Sequence, residues 1–140
     1  MATVEAMEPR SIATRYLAAL SAGDPDAIAA CVTFDFENEH ASALGSSSYG
    51  RLGYRDRLPG FLAQFVGLSY EVVSTIAEGD EVAVRYRLTA VHDGYPIDIP
   101  GVMLFVIEDG LIAKRTDVWD SLTFLRQIGA ITDASSISAD

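Results

Sequence analysis

The stretch 110-GLIAKRTDVW-119 decides how the chain is read. It follows the turn Glu108-Asp109-Gly110 and has the alternation of a β-strand. That alternation puts Leu111, Ala113, Arg115, Asp117 and Trp119 on one face. Two charged residues therefore share a face with a leucine and the only tryptophan of the chain. Such a face is read here as a pocket wall with Asp117 as its chemical group. The plainer alternative is an ordinary Arg115–Asp117 ion pair at a sheet edge. Acid/base work by Asp117 asks that burial raise its pKa and that Arg115 point away, since a nearby guanidinium would lower it.

Working outward, three more strands are expected. Tyr70 to Ile76 leads into the turn Glu78-Gly79-Asp80, and Glu81 to Val91 follows. In the latter, Val82, Val84, Tyr86, Leu88 and Ala90 share one face, with Arg85, Arg87 and Thr89 on the other. His92-Asp93-Gly94 reads as a hairpin turn, because Asp-Gly readily supplies positive φ, and Pro96 to Ile107 is the next strand. After Trp119, Asp120 can cap a helix over Ser121 to Ile128, with Gly129 as its terminator. At the other end, Pro9 opens a helix carrying Ile12, Ala13, Tyr16, Leu17 and Leu20 at helical spacing and ending near Gly23. Asp24 and Pro25 start a second helix through Ala27, Ile28 and Cys31. Phe34 to His40 alternates as a strand, with Phe34, Phe36, Asn38 and His40 on one face and Asp35, Glu37 and Glu39 on the solvated other. Ala41 to Gly53 reads as a Ser/Gly-rich loop over the pocket mouth. A third helix spans roughly Arg55 to Phe65, where Pro59 fits only in a first turn.

Helices gathered on one side of an antiparallel sheet make an α+β layer fold. The expectation is a curved antiparallel sheet wrapped around helices, leaving a cone-shaped pocket. Residues 1–129 form the single domain and 130–140 a polar tail.

The chain has 140 residues, 49% of them hydrophobic and 21% charged, which suits one globular domain. A formal net charge of -10 repels phosphate backbones, so nucleic acid is not an expected partner. The lone Cys31 permits no internal disulfide, and no Cys/His metal spacing or phosphate-cradling glycine motif occurs. No metal or nucleotide cofactor is expected. The start MATVEAMEPR lacks the basic and apolar regions of a signal peptide, and the apolar run GVMLFVI is too short to cross a bilayer. A cytoplasmic protein without membrane contact is the expectation.

Four local sequences then carry a resemblance: RYLAALSAGDPDAI (15–28), GYRDRL (53–58), HDGYPIDIPGVMLFVIEDGLI (92–112) and DVWDSLTFLRQIG (117–129). With the order of elements, they resemble the nuclear-transport-factor-2-like superfamily, a cystatin-like architecture. Within it, the chain looks most like the SnoaL-like polyketide cyclases and ketosteroid isomerases, over about residues 10 to 129. The isomerase resemblance places Tyr16 at an oxyanion-holding tyrosine and His40, or Asn38 after a shift of two residues, at the base. It places Gly101 where the second oxyanion donor, a protonated aspartate, would stand. Of an epoxide-hydrolase-like Asp-Arg-Asp set, Asp117 matches the last aspartate, while the Arg and first Asp fall on Val82 and Val84, so that resemblance does not carry over. The lone acid/base aspartate of the SnoaL-like cyclases corresponds to Asp117, from which this chain departs least.

The resemblance thus implies Asp117, His40 and Tyr16 as catalytic groups reaching one ligand from three walls. Phe36, Asn38, Phe61, Val84, Tyr86, Met103, Phe105, Arg115 and Trp119 would contact the substrate, with Leu88 beside them. A wall so apolar suits a small, planar carbonyl compound. The resemblance further implies a cofactor-free cyclase or isomerase; the alternative is a non-catalytic ligand-binding or interaction module of the same fold. Arg85, Arg87 and Thr89, with Val91, Val102, Leu104 and Val106, make an outer sheet face too apolar for free solvent, so a homodimer through that face is expected.

Overall fold

Two Asp-Gly pairs set the geometry of the sheet. Asp93 and Gly94 adopt φ of 50° and 81°, and Asp109 and Gly110 adopt 52° and 79°. Successive positive φ values match the right-handed twist of the strands that such turns join. The computed structural model describes residues 7–132. The first six residues of the stretch read for a signal peptide, and residues 133–140 of the expected tail, lie outside the described residues.

The first half of the chain supplies α1 (Pro9–Ala22), α2 (Pro25–Ala29), β1 (Val32–His40), β2 (Ser48–Tyr49) and α3 (Arg51–Gln64). The second half supplies β3 (Phe65–Glu78), β4 (Glu81–His92), β5 (Tyr95–Glu108), β6 (Leu111–Trp119) and α4 (Ser121–Gln127). The six strands form one sheet in the order β2-β1-β6-β5-β4-β3. Strands β3 to β6 are an antiparallel meander, and β1 joins it parallel to β6, pairing His40 with Asp117. The result is the expected α+β fold with an open, curved sheet.

Strand β4 shows why the layers form. Val82, Val84, Tyr86, Leu88 and Ala90 are all buried, while Arg85 and Arg87 between them face out. Helix α1 buries Ile12, Ala13, Tyr16, Leu17 and Leu20 and packs on β3 and β4. Both acidic caps form: Asp24 accepts from Asp26 N at 3.0 Å, and Asp120 accepts from Thr123 N at 3.0 Å. The last helix is clipped to the sheet by Gln127, whose amide accepts from Asp98 N at 2.8 Å and donates to Asp98 O at 2.9 Å. A side chain here imitates a neighbouring strand, and it seats Phe124 against the interior.

Four local expectations change. Strand β6 carries a bulge where the pairing passes from Val106–Lys114 to Ile107–Ile112. The extra residue reverses the alternation, so Ile112 is fully buried and Leu111 is only half-buried. The inner face is therefore Ile112, Arg115, Asp117 and Trp119. Strand β1 shifts register between Val32 and Glu37, which turns Phe34 outward at 67% exposure while Phe36 stays buried. Helix α3 begins four residues early, at Arg51, so Pro59 lies inside it rather than in its first turn. Pro59 is exposed, where the carbonyl it leaves unpaired can meet water. Its early start, with β2, shortens the expected loop to residues 41–47.

The bulge makes a measurable difference. Ile112→Ala should cost about 2–5 kcal/mol in urea unfolding, the range for a buried large-to-small change, and Leu111→Ala clearly less. Equal costs, or the reverse order, would contradict this register.

Candidate active site

Position 115 decides the chemistry of the inner face. Arg115 is only 5% exposed and Asp117 3%. The Arg115 guanidinium donates one hydrogen bond to Asp117 Oδ2 at 2.8 Å and another to Asn38 Oδ1 at 3.0 Å. Its carbon lies 5.7 Å from the centre of the Tyr16 ring. Burial disfavours the charge, but Tyr16, Asp117 and the nearby tyrosines outweigh it and hold Arg115 well above the ordinary arginine pKa. Arg115 therefore does not point away from Asp117, as the acid/base expectation had asked. The pair is also not at a sheet edge: β6 lies between β1 and β5, and both residues line the main cavity.

The second oxygen of Asp117 belongs to Tyr86, whose hydroxyl donates to Oδ1 at 2.7 Å. Tyr86 reaches Asp117 across β5 because its pairing partner there is Gly101. A Cβ at residue 101 would overlap the Tyr86 ring and hydroxyl. The place that resemblance assigns to an isomerase's acidic donor is thus filled by a phenol from the next strand. Burial, then the Asp117 charge, push Tyr86 far above the usual tyrosine pKa, so it stays a neutral donor.

His40 stands beside this pair, on the rung of Asp117. Burial first, then the Arg115 charge, hold its pKa below the usual histidine value. Its Nδ1 accepts from Trp119 Nε1 at 3.4 Å. Indole can only donate, so the neutral ring carries its proton on Nε2. Loop 41–47 closes over it. Ser42 Oγ accepts from Trp119 N at 2.7 Å, and Arg57 donates to Ser46 Oγ at 2.6 Å. Gly45, at φ 95°, lies flat on the imidazole; a Cβ there would come within 2.9 Å of Nδ1.

Together these groups open on a half-enclosed cavity of about 620 Å³, in the size range of small-molecule sites. Asp117, His40, Asn38, Arg115, Tyr86, Phe61 and Trp119 are on its wall, as is Leu88. Tyr16, Phe36, Val84, Met103 and Phe105 are not: all five are essentially fully buried in the core behind it. The four strand residues share the inward face with the wall residues, but helices α1 and α3 pack on that part of the sheet; Tyr16 is itself on the inner side of α1. Tyr16 is linked to the cavity wall by Tyr54, with which it shares a short hydroxyl–hydroxyl hydrogen bond, and by Arg115 beside its ring. Burial raises the pKa of both phenols.

Three wall residues carried no signal of their own in the sequence. Tyr54 sits in the quoted run GYRDRL, on α3. Tyr70 opens a run read simply as strand, and its hydroxyl has no partner among the described residues. His92 was read as part of a turn. Among the described residues, no group of three His, Cys, Asp or Glu side chains is placed to hold a metal.

The family model described as the SnoaL-like domain matches residues 13–115. The chain belongs to the SnoaL-like family. No curated protein matches it. Solved structures share the fold of this SnoaL-like chain at low identity. A protein of ketosteroid isomerase-like fold from Catenulispora acidiphila DSM 44928, in complex with trimethylamine, superposes with a TM-score of 0.78 at 20% identity, over 91% of this chain and 95% of that one. A protein from Shewanella putrefaciens CN-32 assigned as a SnoaL-like polyketide cyclase gives 0.78 at 15%, over 89% and 99%. TsrD from Streptomyces laurentii gives 0.72 at 24%, over 86% and 94%. The Asp117 end of β6 lies just past the residues matched to the SnoaL-like family, so its role rests on the geometry above.

The lowered pKa of His40 makes stability depend on pH in a fixed direction. Between its folded value and the ordinary value of about 6.5, the unfolded chain binds the extra proton. This contribution is complete above about pH 6.5 and is lost as pH falls toward the folded pKa. Chemical denaturation from pH 8 to 5 should show that loss, and His40→Gln should flatten it. An unchanged slope in the variant would refute a buried neutral His40.

Proposed function

We propose that the protein is an acid/base enzyme acting on a carbonyl compound, as a cyclase or isomerase of a polyketide-like or similar small planar substrate, without a cofactor. The observation that carries this reading is the buried Arg115–Asp117–Tyr86 cluster, with neutral His40 beside it, on the wall of an otherwise apolar cavity. In this reading, Asp117 takes the proton from a carbon next to the substrate carbonyl. Both its oxygens are engaged, yet each keeps a lone pair for that proton. The C–H electrons pass into the enolate, whose oxygen is held by His40 Nε2–H and the Asn38 amide. The enolate carbon then attacks a second carbonyl in a ring closure, or is reprotonated elsewhere in an isomerisation. Arg115 keeps Asp117 oriented through its hydrogen bond to Oδ2. Family membership and the cyclase assignment of a structural relative support the reaction class.

A ligand-binding module without turnover is the second reading. It is favoured by the full engagement of Asp117, which resembles a structural ion pair more than a poised base.

The two separate in one variant. Native protein should catalyse exchange of α-protons for solvent deuterium in one or more members of a panel of aromatic ketones, followed by NMR. Asp117→Asn should lower that rate about 100-fold or more, the scale of one acid/base group. Because Arg115 loses its counter-charge, Asp117→Asn should also lose about 3–5 kcal/mol of stability. Adding Arg115→Gln should recover stability but not exchange. Undiminished exchange in Asp117→Asn would remove Asp117 from the role.

A homodimer through the outer sheet face is part of the same proposal. Leu104 and Val118 lie exposed there on the adjacent strands β5 and β6, each more than a third accessible. Sedimentation at micromolar concentration should give a dimer, and Leu104→Glu should give a monomer; a native monomer would contradict the proposal.

A further inference from the structure

Four phenols stand close enough to Arg115 for its charge to act on their ionisation: Tyr16, Tyr54, Tyr70 and Tyr86. Three of the hydroxyls are engaged. Tyr16 and Tyr54 bond to each other, and Tyr86 donates to Asp117. Tyr70 is different. It lines the cavity and is only 8% exposed, yet its hydroxyl has no hydrogen-bond partner among the described residues. The mechanism above gives it no task.

The side chain is firmly held for a group with nothing to bond. Its backbone is tied to α1: Tyr70 N donates to Ser21 Oγ at 2.9 Å, and Ser21 Oγ donates to Leu17 O at 3.1 Å. Its ring meets the Tyr86 ring edge-on, with 5.1 Å between centres. Tyr86 thus touches Asp117 with its hydroxyl and Tyr70 with its ring. Burial holds the Tyr70 phenol well above the usual tyrosine pKa, so it stays a neutral donor. Phenylalanine would make the same ring contact without a polar atom. Water can serve the hydroxyl in an open cavity. A ligand that expels this water must offer an acceptor there or leave the hydroxyl unpaired, at a cost in affinity.

From this placement we infer that Tyr70 is a specificity residue, whose hydroxyl donates a hydrogen bond to a second acceptor oxygen of the ligand, apart from the one held at Asn38 and His40. Asn38 and His40 are on β1, to one side of Asp117, and Tyr70 is on β3, to the other. The two strands are four steps apart in the sheet, each step about 4.8 Å before curvature. One carbonyl oxygen cannot bond on both flanks, so the ligand carries two. A further step rests on the acid/base reading: the second carbonyl is the one that the enolate carbon attacks. The C–C bond forms, the C=O π pair moves onto oxygen, and Tyr70 holds that alkoxide. The proton that the alkoxide gains from water balances the one that Asp117 returns to water, and nothing is expelled. Ring closure is then favoured over isomerisation, which uses a single carbonyl.

Trp119, the only tryptophan, is on the same wall, so its fluorescence reports binding. The probes are 1,5-diphenylpentane-1,5-dione and 1,6-diphenylhexane-1,6-dione, each paired with the monoketone in which one carbonyl is a methylene, titrated at pH 8. Each pair shares a skeleton and differs by one acceptor. At least one diketone should bind about tenfold more tightly than its monoketone, as one net hydrogen bond gives. Tyr70→Phe keeps the ring and its contact with Tyr86. In that variant the preference should fall to about twofold or less, while affinity for the monoketone stays within about twofold. Tyr70→Leu serves the same purpose if Tyr70→Phe does not fold, and melting curves check both. Native protein that prefers neither diketone, or a preference that survives loss of the hydroxyl, would overturn the inference. If Asp117→Asn leaves proton exchange undiminished while the diketone preference stands, the acid/base reading falls and the Tyr70 contact remains.

Discussion

A guanidinium buried against a carboxylate is expensive. Taking both ions out of water costs several kcal/mol each, and their attraction recovers this only when the remaining donors and acceptors are also met. The surroundings of Arg115 and Asp117 follow from that condition. Asn38 accepts from the guanidinium, Tyr86 donates to the carboxylate, and the Tyr16 ring lies under the positive charge. One donor, the Arg115 Nε–H, still has no acceptor. Each satisfying group imposes a further demand. Tyr86 needs residue 101 to be glycine, and Asn38 needs β1 to run parallel beside β6. Apolar residues of similar volume would often be at least as stable at such positions. A chain that keeps the ions, and lines a cavity with them, keeps them for what they do to a ligand.

The cavity gives that pair its strength. Leu20, Leu58, Phe61, Ile99 and Phe124 surround it, so a ligand that enters displaces water from charged and dipolar groups. Electrostatic interactions in such a setting exceed those in water several-fold, and groups already fixed in place need no reorganisation when charge develops. The protein outside is acidic, with a formal net charge of -10. That field repels anions and is indifferent to a neutral ketone. A neutral ligand whose charge appears only during enolisation fits both the exterior and the interior.

Lid and wall share residues. Ser42 bonds both backbone groups of Trp119, Trp119 donates to His40, and Gly45 rests on the His40 ring. Arg57 of α3 holds the same loop from its other side through Ser46 and Ser47. A change in the loop is therefore felt at His40 through Trp119 and Gly45. The tautomer of His40 is set by Trp119 on β6, since the indole N–H bonds to its Nδ1.

Much of this was legible in the sequence, and the legible part is local. Asp-Gly pairs announced two hairpins because only positive φ closes them, and Asp24 and Asp120 announced helix starts because a short carboxylate reaches the backbone N–H groups of the next turn. The strict alternation of β4 gave its buried face directly. Asp117, Arg115, Asn38, His40, Tyr86 and Trp119 were legible as wall residues because charge among apolar neighbours on one strand face is costly unless it is used. Tertiary structure decided the rest. A bulge is a mismatch between two strands, so neither the turn of alternation at Ile112 nor the outward Phe34 could be read from one strand. Depth below the wall depends on which helix covers which strand, so Tyr16 and Phe36 sank into the core and Tyr54 took the place on the cavity wall. Whether Arg115 bonds Asp117 or turns away depends on Asn38, which is 77 residues distant in sequence and adjacent only through the β1–β6 pairing.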